Sequence, residues 1–252
     1  EETLISDEPL TVILSQKGWI RAAKGHEVDG HKLNYRSGDG FFAAAAMRST
    51  QTLHVFDDAG RNYSTRCHDL PSVRSLGEPL TSRFNPPPGS LFIGLLSGEP
   101  DQKVVIVSGD GYGFISQLGS LSSKNRAGKA VLTLPEDIRA LPPITLSDDQ
   151  QTLALLSRQG RLLLLNRQEL PHLSKGRGHK LIDIHNTDLR DNSDGLLGIV
   201  ALHDGNAIQI IAGKRQLLLK PKDLERFHGK RGNRGILLPR GLQRVDAFSL
   251  AF

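Results

Sequence analysis

Residues 155–170 read LLSRQGRLLLLNRQEL: an apolar run, a glycine, a second apolar run and a polar step that closes on leucine. Short apolar runs separated by a glycine are the pattern of two strands joined by a tight hairpin. Gly160 supplies the positive φ that such a turn wants. Residues 162–165 have helical propensity, but four residues make no stable helix. The same grammar returns as VIVSGDGYGFISQLGSL (105–121), VFDDAGRNYSTRCHDL (55–70) and IIAGKRQLLLKPKDL (210–224), with a shortened opening copy, ILSQKGWIRA (13–22). The closing leucines, Leu70, Leu121, Leu170 and Leu224, lie 51, 49 and 54 residues apart. The chain is therefore a repeat of about fifty residues.

A second feature follows each closing leucine. Seven or eight residues on comes a glycine in a mostly basic loop, and then an apolar run. The copies are SVRSLGEPLT (72–81), KNRAGKAVLTL (124–134), SKGRGHKLIDI (174–184) and GKRGNRGILL (229–238). The first is the least basic, with Glu78 set against Arg74, and the opening unit carries a longer basic loop from Lys24 to Arg36.

Each unit supplies about four short strands. In the unit quoted first they fall at Ile144–Leu146, Thr152–Ser157, Arg161–Asn166 and residues 180–184. The stretch 41–47, FFAAAAM, favours helix by its four alanines and strand by its place in the repeat. Strand is expected. Five such units, at about residues 10–50, 51–100, 101–147, 148–204 and 205–252, imply an all-β fold. The expectation is a single domain, a propeller-like disc of about five four-stranded antiparallel blades. Stacked blades bury apolar faces and protect strand edges. Residues 242–252 alternate well enough for a last strand, and pairing of the two chain ends is the simplest closure.

Composition removes several classes. One cysteine among 252 residues excludes a disulfide scaffold and any Cys-based zinc site and fits a reducing cytoplasm. No run approaches the ~18 apolar residues of a membrane span. The acidic start, with Glu1, Glu2, Asp7 and Glu8, is the opposite of a signal peptide. Gly109-Asp-Gly-Tyr-Gly113 resembles a phosphate loop but sits at a hairpin turn, and Gly128-Lys129 is followed by Ala. The nine histidines show no metal-ligand spacing. Asp191-Asn-Ser-Asp-Gly195 lacks the distal Glu of a calcium loop. No Gly-x-Ser-x-Gly elbow occurs, and Trp19, the one tryptophan, reads as a packing residue.

The net charge of +5 understates the basic character, because residues 11–252 carry 32 bases against 23 acids. Residues 214–244 alone hold ten Lys or Arg against Asp223 and Glu225. Delivered once per blade to one edge, these clusters make a positive arc suited to a polyanion. Duplex DNA offers a negative charge about every 1.7 Å of axis. Glycines beside the bases (Gly128, Gly176, Gly178, Gly232, Gly235) let backbone amides approach phosphate. The candidate DNA-contacting residues are Lys124, Arg126, Lys129, Lys175, Arg177, Lys180, Lys214, Arg215, Lys230, Arg231 and Arg234, with Arg21 and Lys24 from the opening unit. No recognition helix or aromatic platform is apparent, so the contacts are expected to position DNA without reading its sequence.

The chain resembles the C-terminal DNA-binding domains of bacterial type IIA topoisomerase A subunits, most closely those of topoisomerase IV. The resemblance runs through VILSQKGWIRAAKGHEVDG (12–30), LNYRSGD (33–39), GEPLT (77–81), GYGF (111–114), NRAGKAVLTLPE (125–136) and LPPI (141–144). It continues in LPHLSKGRGHKLIDI (170–184), DGL (194–196), GKR (213–215) and RGLQRVD (240–246). It implies a β-pinwheel, in which neighbouring blades exchange a strand and DNA bends along the basic edge. The seven-residue Q-R-R-G-G-K-G signature of gyrase A is absent; Lys24-Gly25-His26-Glu27 stands in the comparable place. Five units rather than gyrase's six point the same way, away from gyrase-like wrapping.

The resemblance also places the strand-cleaving tyrosine, the Mg²⁺ carboxylates and the ATP site outside this chain. None of Tyr35, Tyr63 and Tyr112 matches the cleavage motif. Duplex DNA, the catalytic N-terminal part of the same polypeptide and the separate ATPase B chain of the heterotetramer are the implied partners, in the cytoplasm at the nucleoid. The chain alone is expected to be monomeric and without a metal or cofactor. A propeller used as a protein scaffold predicts salt-insensitive DNA binding or none. A propeller enzyme needs converging carboxylates or histidines that the sequence does not display.

Overall fold

A computed structural model describes residues 4–251. Glu1 and Glu2 of the acidic start and the final Phe252 lie outside the described residues. Each of the first four hairpins turns on the same local device. The glycine N–H donates to the carbonyl three residues earlier: Gly18 to Ser15, Gly60 to Asp57, Gly111 to Ser108 and Gly160 to Ser157, at 3.0–3.3 Å. At three of the turns that earlier side chain helps. Ser15 Oγ accepts from Trp19 N–H at 3.0 Å, Asp57 Oδ1 from Arg61 N–H at 2.9 Å and Ser157 Oγ from Arg161 N–H at 3.2 Å. Ser and Asp favour turns through such local bonds. Gly160 has φ +86°, a conformation cheap only for glycine.

The strands assemble in a repeating order. β1 (Pro9–Ser15) and β2 (Trp19–Lys24) form the first hairpin, and β3 (Phe41–Arg48) pairs with β1. After the second hairpin, β4 (Thr52–Asp57) and β5 (Arg61–Arg66), the chain returns as β6 (Glu78–Pro79) to pair with β2. β7 (Phe92–Leu96) pairs with β4. β8 (Lys103–Val107) and β9 (Tyr112–Gln117) are the third hairpin, after which β10 (Lys129–Ala130) returns to β5. β11 (Ile144–Leu146) pairs with β8, ahead of the fourth hairpin of β12 (Thr152–Ser157) and β13 (Arg161–Asn166). β14 (His179–Lys180) returns to β9, and β15 (Leu196–Leu202) pairs with β12. The last hairpin is β16 (Ala207–Ala212) and β17 (Arg215–Leu219). β18 (Ile236–Leu237) then returns to β13, and β19 (Ala247–Ala251) pairs with β16.

The fold is all-β, and the described residues form four four-stranded antiparallel sheets and one of three strands. Every complete sheet takes its fourth strand from beyond the following hairpin. The observed pairing corrects the strand grouping expected from sequence. Ile144–Leu146 belongs with β8, one sheet earlier, and of residues 180–184 only Lys180 is in a strand. The returning strand stops because Leu181 N–H turns to the carbonyl of Gly111 at 2.8 Å. Among the described strands the fifth sheet has three, in the order β17, β16, β19. The last strand binds β16, and β1 binds β2 and β3, so the expected pairing of chain ends is not formed among the described strands.

The chain divides into two compact units. Residues up to 102 with 117–131 form one, and 103–116 with 132 onward form the other. The first holds two sheets over a core of Val12, Leu14, Ile20, Leu53, Val55 and Tyr63, with Phe84 and Phe92 against the Tyr63 ring. The second holds three sheets around two cores, one centred on Val105, Leu155 and Leu163 and the other on Leu156, Leu164, Ile208 and Phe227.

Candidate nucleic-acid interface

The basic loops end on the returning strands, and a glycine sits at each junction. Gly77, Gly128, Gly178 and Gly235 precede β6, β10, β14 and β18, all with φ between +71° and +89°. The close approach is tightest at Gly178, where a Cβ would lie 2.1 Å from the carbonyl oxygen of Gly113. Spacing alone marks Gly232 in the fourth loop, whereas the junction is at Gly235, because that loop is longer. Gly232 instead donates its N–H to Leu181 C=O at 2.8 Å.

In the first unit Lys24, Lys124 and Arg126 are exposed. Arg126 donates to Ser82 C=O at 3.0 Å, and its own carbonyl accepts from Asn85 N–H at 2.8 Å. The Lys129 ammonium is half-buried on the Ser120 carbonyl. Arg21 is 3% exposed. Its guanidinium donates to Ser75 C=O at 2.9 Å and to Asn34 C=O, and lies 4.9 Å from the centre of the Tyr35 ring. Burial raises the Tyr35 pKa, and its hydroxyl donates to Gly30 C=O at 2.6 Å. Glu78, which the sequence sets against Arg74, is paired with Arg83 instead.

In the second unit the loops are tied in series. Thr133 N–H donates to Gly176 C=O at 2.9 Å, and Asp183 N–H to Asn233 C=O at 2.9 Å. Arg231 Nη1 reaches His179 Nδ1 at 2.6 Å and Glu169 C=O at 3.0 Å. These bonds bring Lys175, Arg177, Lys180, Lys230, Arg231 and Arg234 onto one stretch of surface, all exposed. Two of them have side-chain carboxylate partners, and the main-chain N–H of Arg231 donates to Glu169 Oε1 at 3.1 Å. Arg177 is 3.0 Å from the buried Asp110 and stacks 3.7 Å from the Tyr112 ring centre. Lys180 pairs with Asp183 at 2.9 Å, which raises its pKa. Among the described residues Lys175, Lys230 and Arg234 have no carboxylate partner. Lys214 and Arg215 are exposed at the last hairpin, apart from these ties.

Three bases that sequence reasoning leaves out of the site belong to its framework. Arg61 and Arg161 hold loop carbonyls, and Arg36 stacks 4.1 Å from the centre of the Trp19 ring. Burial and the charge of Arg234 lower the pKa of Arg161. The usable signal is position, since Trp19, Arg61 and Arg161 each follow a hairpin glycine. The lone Cys67 is buried, its Sγ 3.7 Å from Met47 Sδ, and burial raises its pKa to about 11. Among the described residues no three His, Cys, Asp or Glu side chains come together as a metal set, and no helix is long and apolar enough to cross a membrane.

No family model matches the chain. It is 46% identical over 248 residues to the A subunit of DNA topoisomerase 4 from Pseudomonas aeruginosa, covering 98% of this chain and 33% of that protein. The chain thus spans about a third of the length of the curated relatives it matches. The solved C-terminal domain of Escherichia coli ParC is 41% identical, with a TM-score of 0.87 over 97% of this chain and 99% of that one. The gyrase A C-terminal domain superposes with a TM-score of 0.70 at 12% identity, over 97% of this chain and 83% of that one, which shows the fold alone. Identity of this extent, carried end to end on one strand-exchanged fold, settles the family: the chain belongs to the C-terminal domains of DNA topoisomerase IV A subunits.

Proposed function

We propose that this domain binds duplex DNA, without reading its sequence, through the basic loops that precede the returning strands. What supports this most is the serial tie between the loops of the second unit, which gathers Lys175, Arg177, Lys180, Lys230, Arg231 and Arg234 on one surface. Lys124 and Arg126, with Lys24, supply the corresponding charge in the first unit, and Lys214 and Arg215 carry further charge at the last hairpin of the second. Arg21 and Lys129 act differently from the surface bases. Unlike the exposed Arg126 and Arg231, they are drawn in from the surface with their charged groups on carbonyls, so they brace the loops and leave phosphate to their neighbours.

In the full enzyme the bound segment is held and bent toward a cleavage core in the rest of the same polypeptide. The partners are that core and the ATPase B chain of a heterotetramer, in the cytoplasm at the nucleoid. ATP and Mg²⁺ are used there and not in this chain. Holding the DNA outside the core biases which crossings are passed, and so tunes decatenation and supercoil relaxation. The chain by itself is a single monomeric binding domain.

Charge reversal tests the site. Lys230, Arg231 and Arg234 changed together to Glu should weaken binding and flatten the dependence of log K on log salt by about one for each lost phosphate contact. Unchanged affinity in that variant would remove these loops from the interface.

A further inference from the structure

In three of the four receiving sheets one position grips the loop that comes back to it. It is the residue after the hairpin glycine, which opens the second strand: Arg61 in β5, Tyr112 in β9 and Arg161 in β13. Arg61 Nε donates to Ala127 C=O at 2.8 Å and Nη2 to Gly128 C=O at 3.1 Å. Arg161 Nη1 donates to Gly235 C=O at 3.1 Å. Tyr112 works through its ring, 3.7 Å from the Arg177 guanidinium. In the first sheet Trp19 holds the position, and the grip passes to Arg21. That residue lies two along and so on the same side of the strand, with Ser75 C=O as its partner.

We propose that Arg61 and Arg161 are positioning residues of the DNA interface. They clamp the ends of the 124–128 and 229–235 loops through backbone carbonyls, and they do not themselves contact phosphate. This rests on the DNA-binding reading above. The bodies of these loops are bonded elsewhere, Arg126 C=O by Asn85 N–H at 2.8 Å and Asn233 C=O by Asp183 N–H at 2.9 Å, but their junctions with the sheet are short. Each returning strand pairs over two residues, and so short a ladder opens at small cost. The junction carbonyls of Ala127, Gly128 and Gly235 lie at the ends of those ladders. A guanidinium is always charged and presents its donors in a rigid fork, so it fixes a carbonyl with little loss of its own freedom. A loop fixed beforehand loses less freedom on binding, and affinity rises without any added phosphate contact.

That distinction sets the experiment, made on the full chain. Arg61→Ala, Arg161→Ala and the two Lys variants are followed by amide hydrogen exchange and by titration with a random-sequence duplex at several salt concentrations. Lys124→Ala and Lys230→Ala, exposed bases of the same two loops, serve as contact controls. Exchange should quicken only at residues 126–131 in the Arg61 variant and at 233–238 in the Arg161 variant. Kd should rise about threefold to tenfold, with the salt slope as in the wild type. Arg161→Lys should restore most of the loss because one donor suffices there, and Arg61→Lys only part, because it leaves one of two carbonyls without its donor. The controls should each lower the slope by about one.

A slope lowered in the Arg61 or Arg161 variants would make these residues phosphate contacts and overturn the proposal. So would unchanged exchange with unchanged Kd. If an alanine variant does not fold, the Lys variants carry the same comparison. A wild-type chain that shows no salt-dependent binding would refute the DNA reading, while exchange would still decide whether the clamp exists.

Discussion

At Gly178 the backbone of a basic loop passes so close to β9 that no side chain fits. The residue sits at φ +80°, and a Cβ there would meet Gly113 O at 2.1 Å and Gly113 C at 2.5 Å. Both contacts are main chain, so relief requires the strand or the loop to move. Gly178→Ala should therefore cost at least ~2 kcal/mol, the sum of a left-handed conformation and a backbone clash. Gly205 offers the control. It has φ +92° with nothing within 4 Å, so Gly205→Ala should cost only about 1 kcal/mol. Thermal unfolding followed by circular dichroism separates the two, and equal losses would contradict the crowding at Gly178. Arg21 teaches the complementary lesson about charge. A base in a repeated cluster reads as surface, yet its guanidinium is surrounded by Ser75, Asn34 and Tyr35.

Among the elements, β3 shows pairing overriding propensity. Its four alanines favour helix, but Phe42, Ala44 and Ala46 face solvent while Met47 is buried, and the strand is paired along its length with β1. Ala44→Thr should accordingly stabilise the chain by up to ~1 kcal/mol, as a β-branched residue on an exposed strand face does. A loss of stability in a urea titration would mean that the segment is not extended in solution. The hairpins are legible in the sequence because they repeat and are local: apolar runs of four to seven residues and a turn glycine fix them. The returning strands are not. Two residues carry no period-two signal, and neighbouring segments are expected to pair unless something says otherwise. Hence sequence reasoning runs the third returning strand over residues 180–184, whereas only His179 and Lys180 pair. The basic loops are legible through their repetition. The clamps are not, since Arg61 and Arg161 read as two more solvated bases until their carbonyl partners are seen.

For the molecule as a whole, the net charge of +5 is a poor summary, because acids gather at the start and bases gather in loops. The loops of the second unit are bonded to one another, so their charge acts as a patch rather than as scattered points. Neutralising a row of phosphates releases counterions, and that release has a fixed signature in salt. Duplex binding without sequence preference through these loops can be put to the test by titrating the chain with two unrelated duplexes of equal length over a range of salt concentrations. The two affinities should be equal, with a log–log slope of about −4 or steeper, for roughly −0.9 per phosphate neutralised. Binding that is indifferent to salt, or that follows one sequence over the other, would contradict it.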